Sequence, residues 1–124
     1  MRAITIIATS LFLGLATVAV AQPARTGPNG GMIVGKDGHE TELIVGPTEI
    51  SIYLIDAGKP QPIGKAAVRA VVQQDGKTTN VSLVSVENKR LVGALTAPLA
   101  KGAIVVVTGK DDHGHGVSAR FVVN

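Results

Sequence analysis

The sequence predicts an all-β domain, an immunoglobulin-like β-sandwich of seven or eight short antiparallel strands. Three observations predict it. Short runs rich in Val, Ile and Thr recur along the chain, several of them alternating apolar and polar residues. Clusters of Gly, Pro, Asp and Asn separate these runs at fairly regular intervals. Beyond the first 21 residues, no stretch repeats its apolar residues at helical spacing.

Residues 1–21 read as a cleavable secretory signal peptide. Met1-Arg2 supplies a short positive start, and an apolar run follows from Ala3 to Ala21. It closes on Ala19-Val20-Ala21, the small-x-small pattern cut by signal peptidases. The run is long enough to touch the lower limit for a membrane span, about 17 residues. Thr5, Thr9, Ser10, Gly14 and Thr17 dilute it, and no basic stop-transfer cluster follows. An exported protein, periplasmic or secreted, is therefore expected, with no stable membrane insertion after cleavage. Residues 22–29, with Pro23, Gly27 and Pro28, read as a linker, and 30–124 as the β-sandwich domain.

Within that domain, Ile33-Val34 is the first short run, and Glu40 to Val45 the second. Glu49 to Asp56 alternates cleanly, Ile50, Ile52 and Leu54 on one side and Ser51 and Tyr53 on the other. Ala57 to Pro62 reads as a turn or loop. Lys65 to Gln74 puts Val68, Ala70 and Val72 on one face, and Asp75-Gly76 is a hairpin signal. Thr78 to Val86 is expected to pair back against that strand. Arg90 to Thr96, Ala103 to Thr108 and Val117 to Val123 complete the set, the last with Val117, Ala119, Phe121 and Val123 on one face. The antibody hallmarks, a Cys pair and a Trp, are missing, so the expectation concerns architecture.

Composition narrows the chemistry. The chain has no cysteine, which excludes disulfides, thiolate metal sites and a lipid anchor on cysteine. Losing Arg2 with the signal lowers the formal charge from +3 to +2. The basic residues are scattered, and Tyr53 and Phe121 are the only aromatic residues after the signal. A nucleic-acid binder is expected to show a basic stripe with stacking aromatics, so that class is set aside.

Three histidines carry the remaining chemistry: His39, His113 and His115. Residues two apart in an extended segment project to one side, so His113 and His115 are placed to offer two imidazoles to one ion. Asp111 or Asp112 offers a hard oxygen ligand; Asp112, beside His113, completes the candidate set His113, His115, Asp112 and His39. Imidazole with carboxylate suits zinc, copper(II) or nickel. His39 joins only if its loop meets the 111–116 loop at one end of the sandwich. The same Asp-Asp-His-Gly-His-Gly run is also a plain polar turn, since turns favour Asp and Gly for conformational reasons alone. Glu40 and Glu42 read as solvated strand-edge groups. Ser118 lies near His115 and Asp112, but no nucleophile elbow surrounds it, and the chain is not expected to be an enzyme.

Pro28-Asn29-Gly30-Gly31, Gly38-His39-Glu40-Thr41-Glu42-Leu43, Ile52-Tyr53-Leu54-Ile55-Asp56 and Gly58-Lys59-Pro60 together resemble a known pattern. It is that of the small β-domain in periplasmic adaptor subunits of heavy-metal efflux pumps, and of its short stand-alone exported relatives. The likeness covers the first third of the mature chain, and Asn29 stands where that family carries a histidine. The long helical hairpin and lipoyl-like parts of an adaptor are not present in this sequence. The resemblance implies a metal-binding or heavy-metal homeostasis accessory domain, with an efflux-pump component as its protein partner. The alternative expectation is an exported interaction module with no ligand chemistry, pairing through a sheet edge.

Overall fold

The computed structural model describes residues 25–124. The expected signal peptide, 1–21, and the first part of the linker, 22–24, lie outside the described residues. The rest is all-β, with no helix among the described residues and eleven strands in two antiparallel sheets.

The strands follow the chemistry of the sequence. In chain order they are β1 (Arg25–Thr26), β2 (Met32–Lys36), β3 (His39–Val45), β4 (Glu49–Asp56), β5 (Lys59–Pro60) and β6 (Ala67–Gln74). Then come β7 (Lys77–Val81), β8 (Leu83–Val86), β9 (Arg90–Ala94), β10 (Ile104–Lys110) and β11 (Gly116–Val122). The larger sheet runs β1-β2-β3-β4-β9-β8, with β5 also paired to β4; the smaller runs β11-β10-β6-β7. Eleven strands exceed the seven or eight expected because pairing continues into two short segments and the expected 78–86 strand divides in two. Two-residue β1 falls within the expected linker, and β5 falls within the expected 57–62 loop.

One core lies between the sheets. Leu43, Ile50, Ile52, Leu54 and Leu91 enter it from the larger sheet, and Ala70, Val72, Val105, Val107, Ala119 and Phe121 from the smaller. The alternation read from β4 and β11 therefore sorts these strands as expected, apolar residues inward. Burying these side chains is the main favourable term available to a chain without disulfides.

Tight hairpins set the strand ends. Asp37-Gly38, Ala57-Gly58 and Asp75-Gly76 all have positive φ at both central residues, the signature of two-residue turns whose twist matches the flanking strands. The first two turns touch, Ala57 N–H donating to the Gly38 carbonyl at 3.0 Å.

The expected strand from Thr78 to Val86 divides. β7 pairs with β6 as expected, but at Ser82 the chain leaves the smaller sheet, and β8 pairs with β9 in the larger one. Gly93 admits this corner. A Cβ at that position would stand 3.0 Å from Leu83 Cδ2 and closer still to Val81 Cγ1. Only a residue without a side chain lets the two arms of the corner lie over β9.

Glu42 is a second difference. It is not a solvated edge group: it is fully buried on β3. The turn before β2 folds over it. Asn29 N–H reaches Oε2 at 3.0 Å, Asn29 Nδ2 donates to Oε1 at 2.9 Å, and Gly31 N–H donates to Oε2 at 2.8 Å. These donors replace the water that the carboxylate gives up. Glu40, two residues earlier, forms an ion pair with Arg25 of β1.

Candidate functional site

The site forms where two hairpin ends from different sheets meet. His39 opens β3, directly after the Asp37-Gly38 turn. Asp111 and His115 belong to the connection between β10 and β11. Among the described residues, His39, Asp111 and His115 each offer a ligand atom, and these atoms all lie within 4.8 Å of one another.

Asp111 is the fixed member. It is 5% exposed, and its Oδ1 accepts the N–H groups of His113 at 2.9 Å and His115 at 2.8 Å. The loop closes on itself as well, Asp111 N–H donating to the His115 carbonyl at 2.9 Å and Gly114 N–H to the Asp111 carbonyl at 3.1 Å. Gly114, at φ 82°, supplies the left-handed residue that this closure needs. Burial alone would push the Asp111 carboxyl up. The two amide donors and the nearby imidazoles of His115 and His113 outweigh that, and hold it below the ordinary carboxylate value. An ionised carboxylate is the form a cation needs.

With Oδ1 occupied by the loop, Oδ2 faces the imidazole of His115, 3.4 Å from Nδ1. The His115 side chain is 60% exposed and stands edge-on to the ring of His39, with centroids 5.0 Å apart. Four-coordinate zinc with bonds near 2.0–2.1 Å would place its ligand atoms roughly 3.4 Å apart. The present spread is wider, and rotation of the two exposed imidazoles about their side-chain bonds is the freedom available to close it.

The four residues expected to share the site are placed differently. His39 and His115 are brought together. His113 is exposed, and its ring centroid lies 6.3 Å from that of His115, outside the three-residue group. Asp112 turns away: its Oδ1 accepts the N–H of Lys65 at 2.7 Å, tying the loop to the approach to β6. The carboxylate in the group is its neighbour Asp111.

A groove of about 270 Å³ adjoins the cluster, lined by His39, Asp111, Thr41, Leu54, Gln61 and Val117, among others. Its apolar lining comes from both sheets, so the cluster sits at one mouth of the core. Gln61 carried no signal in the sequence beyond a position between two prolines. Ser118 also lines this groove.

Among the described residues, no helix is long and apolar enough to cross a membrane. No protein-family model matches the chain, and neither the curated proteins nor the solved structures return a match.

Proposed function

We propose that this protein is a small exported metal-binding protein that acts as an accessory in heavy-metal homeostasis, through a site made by His39, Asp111 and His115. One observation carries the reading: two imidazoles and one ionised carboxylate, from hairpin ends of different sheets, converge within 4.8 Å. Two nitrogens and one oxygen suit zinc, copper(II) or nickel. The export signal, and the resemblance to efflux-adaptor β-domains, supply the context: an exported domain meets metal ions and pump components directly. An efflux-pump component is accordingly the partner we infer. Within the all-β class we read the two-sheet architecture as an immunoglobulin-like sandwich, on the strength of one core shared by two antiparallel sheets.

Titration with Zn²⁺, Cu²⁺ and Ni²⁺ tests the site. Wild type is expected to bind one ion, and His39→Ala/His115→Ala to lose that binding. Equal weak binding by both would remove the proposal.

A second reading has its own observation. Val84 is 65% exposed on β8, which ends the larger sheet with an open edge. An apolar residue on an open edge suits an exported module that pairs with another protein by strand addition. Metal analysis of the native protein together with a periplasmic pull-down separates the readings. A stoichiometric partner without metal favours the second.

A further inference from the structure

The two sheets carry their charge differently. The four strands of the smaller sheet hold Arg69, Lys77, Lys110 and Arg120, and no carboxylate. The carboxylates that stand on strands, Glu40, Glu42, Glu49 and Asp56, all belong to the larger sheet. Basic residues that are scattered along the sequence are thus gathered by the fold.

Alternation gives the smaller sheet a core face and an outer face. On the outer face Arg120, Val106 and Val71 stand side by side across β11, β10 and β6. Val122 and Ile104 are paired in the next row, and Arg69 faces Thr108 in the row before. Val71, Ile104 and Val106 are half-buried, and Val122 is 43% exposed. The result is an apolar strip with an arginine on its flank and another at its end. Among the described residues, neither arginine is in an ion pair, and every strand lies in one of the two sheets, so no further layer covers this face.

An apolar centre with arginine at its margin is the make-up of a protein-binding surface. Charge decides what fits: cations with no carboxylate among them attract an acidic surface and repel a basic one. Strands about 4.8 Å apart, rising about 3.3 Å per residue, make the face roughly 400 Å². That suits a transient contact and falls short of the roughly 800 Å² per partner of a stable complex. A membrane fits less well. A few cations attract an anionic bilayer weakly, and the face has no Trp or Tyr to seat in the headgroup layer; Tyr53 stands on the larger sheet.

We propose that the outer face of the smaller sheet is a docking surface for an acidic face of a protein partner, held transiently. The inference rests on the partner reading above and names the chemistry of that partner. Lys110 ends β10, and the next residue is Asp111, so the docked partner borders the proposed metal loop.

Site-specific photo-crosslinking in the exporting cells tests this, with a photoreactive residue at Val106 on the face or at Val84 on the β8 edge. One protein is expected to couple at Val106 and none at Val84. Coupling at Val106 is expected to fall at least about tenfold in Arg69→Glu/Arg120→Glu, where like charges meet. Arg69→Gln/Arg120→Gln removes the charge without reversing it; it is expected to lose less, and it serves if the reversed variant does not fold. Capture alone does not suffice: changing the Asp and Glu residues at the coupled site of the captured protein to Lys is expected to restore coupling to the Glu variant. Coupling at Val106 that ignores both pairs of substitutions overturns the inference. Coupling at Val84 alone overturns this face and leaves a protein partner standing. Sedimentation of the purified protein with phosphatidylglycerol vesicles but not phosphatidylcholine vesicles, without a coupled protein, overturns it in favour of a membrane. No coupled protein and no vesicle binding overturns both the face and the partner reading.

Discussion

The His39 ring stands edge-on to the ring of His115, with centroids 5.0 Å apart and planes inclined at 63°. One residue opens a strand of the larger sheet, and the other lies just before the last strand of the smaller. Nothing local brings them together; the packing of the two sheets does. The buried carboxylate of Asp111 lies beside them, and the site depends on that long-range contact.

For the proposed site, the nearest pair in sequence is therefore not the important one. His113→Ala is expected to leave Zn²⁺ affinity within about threefold of wild type. His39→Ala should weaken it by at least about tenfold, since removing a ligand costs no less than removing a supporting partner. Isothermal titration of the two single variants checks this. Greater loss in His113→Ala would move the site to the 113–115 pair.

Asp111 has a structural duty beside its proposed ligand role. Asp111→Ala strips the acceptor from two amide groups and should cost about 2–3 kcal/mol in urea unfolding, the scale of hydrogen bonds to a charged group. Asp111→Asn keeps an oxygen for those amides and should cost less, yet still weaken metal binding. The folded-state carboxyl titrates below its ordinary value of 3.8, so its contribution is fully present above the unfolded value. That contribution fades as the pH falls through the folded value. Metal-free Asp111→Asn should accordingly lose less stability than wild type between about pH 5 and pH 2. Parallel acid-unfolding curves would count against this.

Glu42→Gln replaces one acceptor oxygen with an amine that faces donors from Asn29 or Gly31. A loss of about 2–3 kcal/mol is expected, with earlier hydrogen exchange in residues 27–31. A neutral effect would mean that the turn does not depend on the carboxylate.

Gly93→Ala tests the corner between the sheets. The new methyl would meet Val81 and Leu83, and a loss of about 1–3 kcal/mol is expected from overpacking. Thermal unfolding reads it. A variant as stable as wild type would show that the corner has room.

Much of the fold was legible because it is local. Glu49 to Asp56 reads as a strand from the alternation of Ile50, Ile52 and Leu54, and β4 has those bounds. Asp75-Gly76 announces its hairpin. The division at Ser82 was not legible, because Val81 and Leu83 continue one pattern through it and the enabling residue, Gly93, lies on another strand. The choice between Asp111 and Asp112 was not legible either. In a tight turn adjacent side chains point apart, and the loop's own amide groups select Asp111. His39 could be named as a candidate, but its meeting with His115 depends on sheet packing. Glu42 looked like any strand glutamate; only the turn folded over it makes it an interior group.

The most direct test of the shared site is a double-mutant cycle on His39 and His115, read as Zn²⁺ affinity. If both imidazoles hold one ion, the first substitution removes most of the binding, and the second adds little. The losses in His39→Ala and His115→Ala should then sum to clearly more than the loss in the double variant. Strictly additive losses, or a His39→Ala variant that binds like wild type, would contradict a shared site.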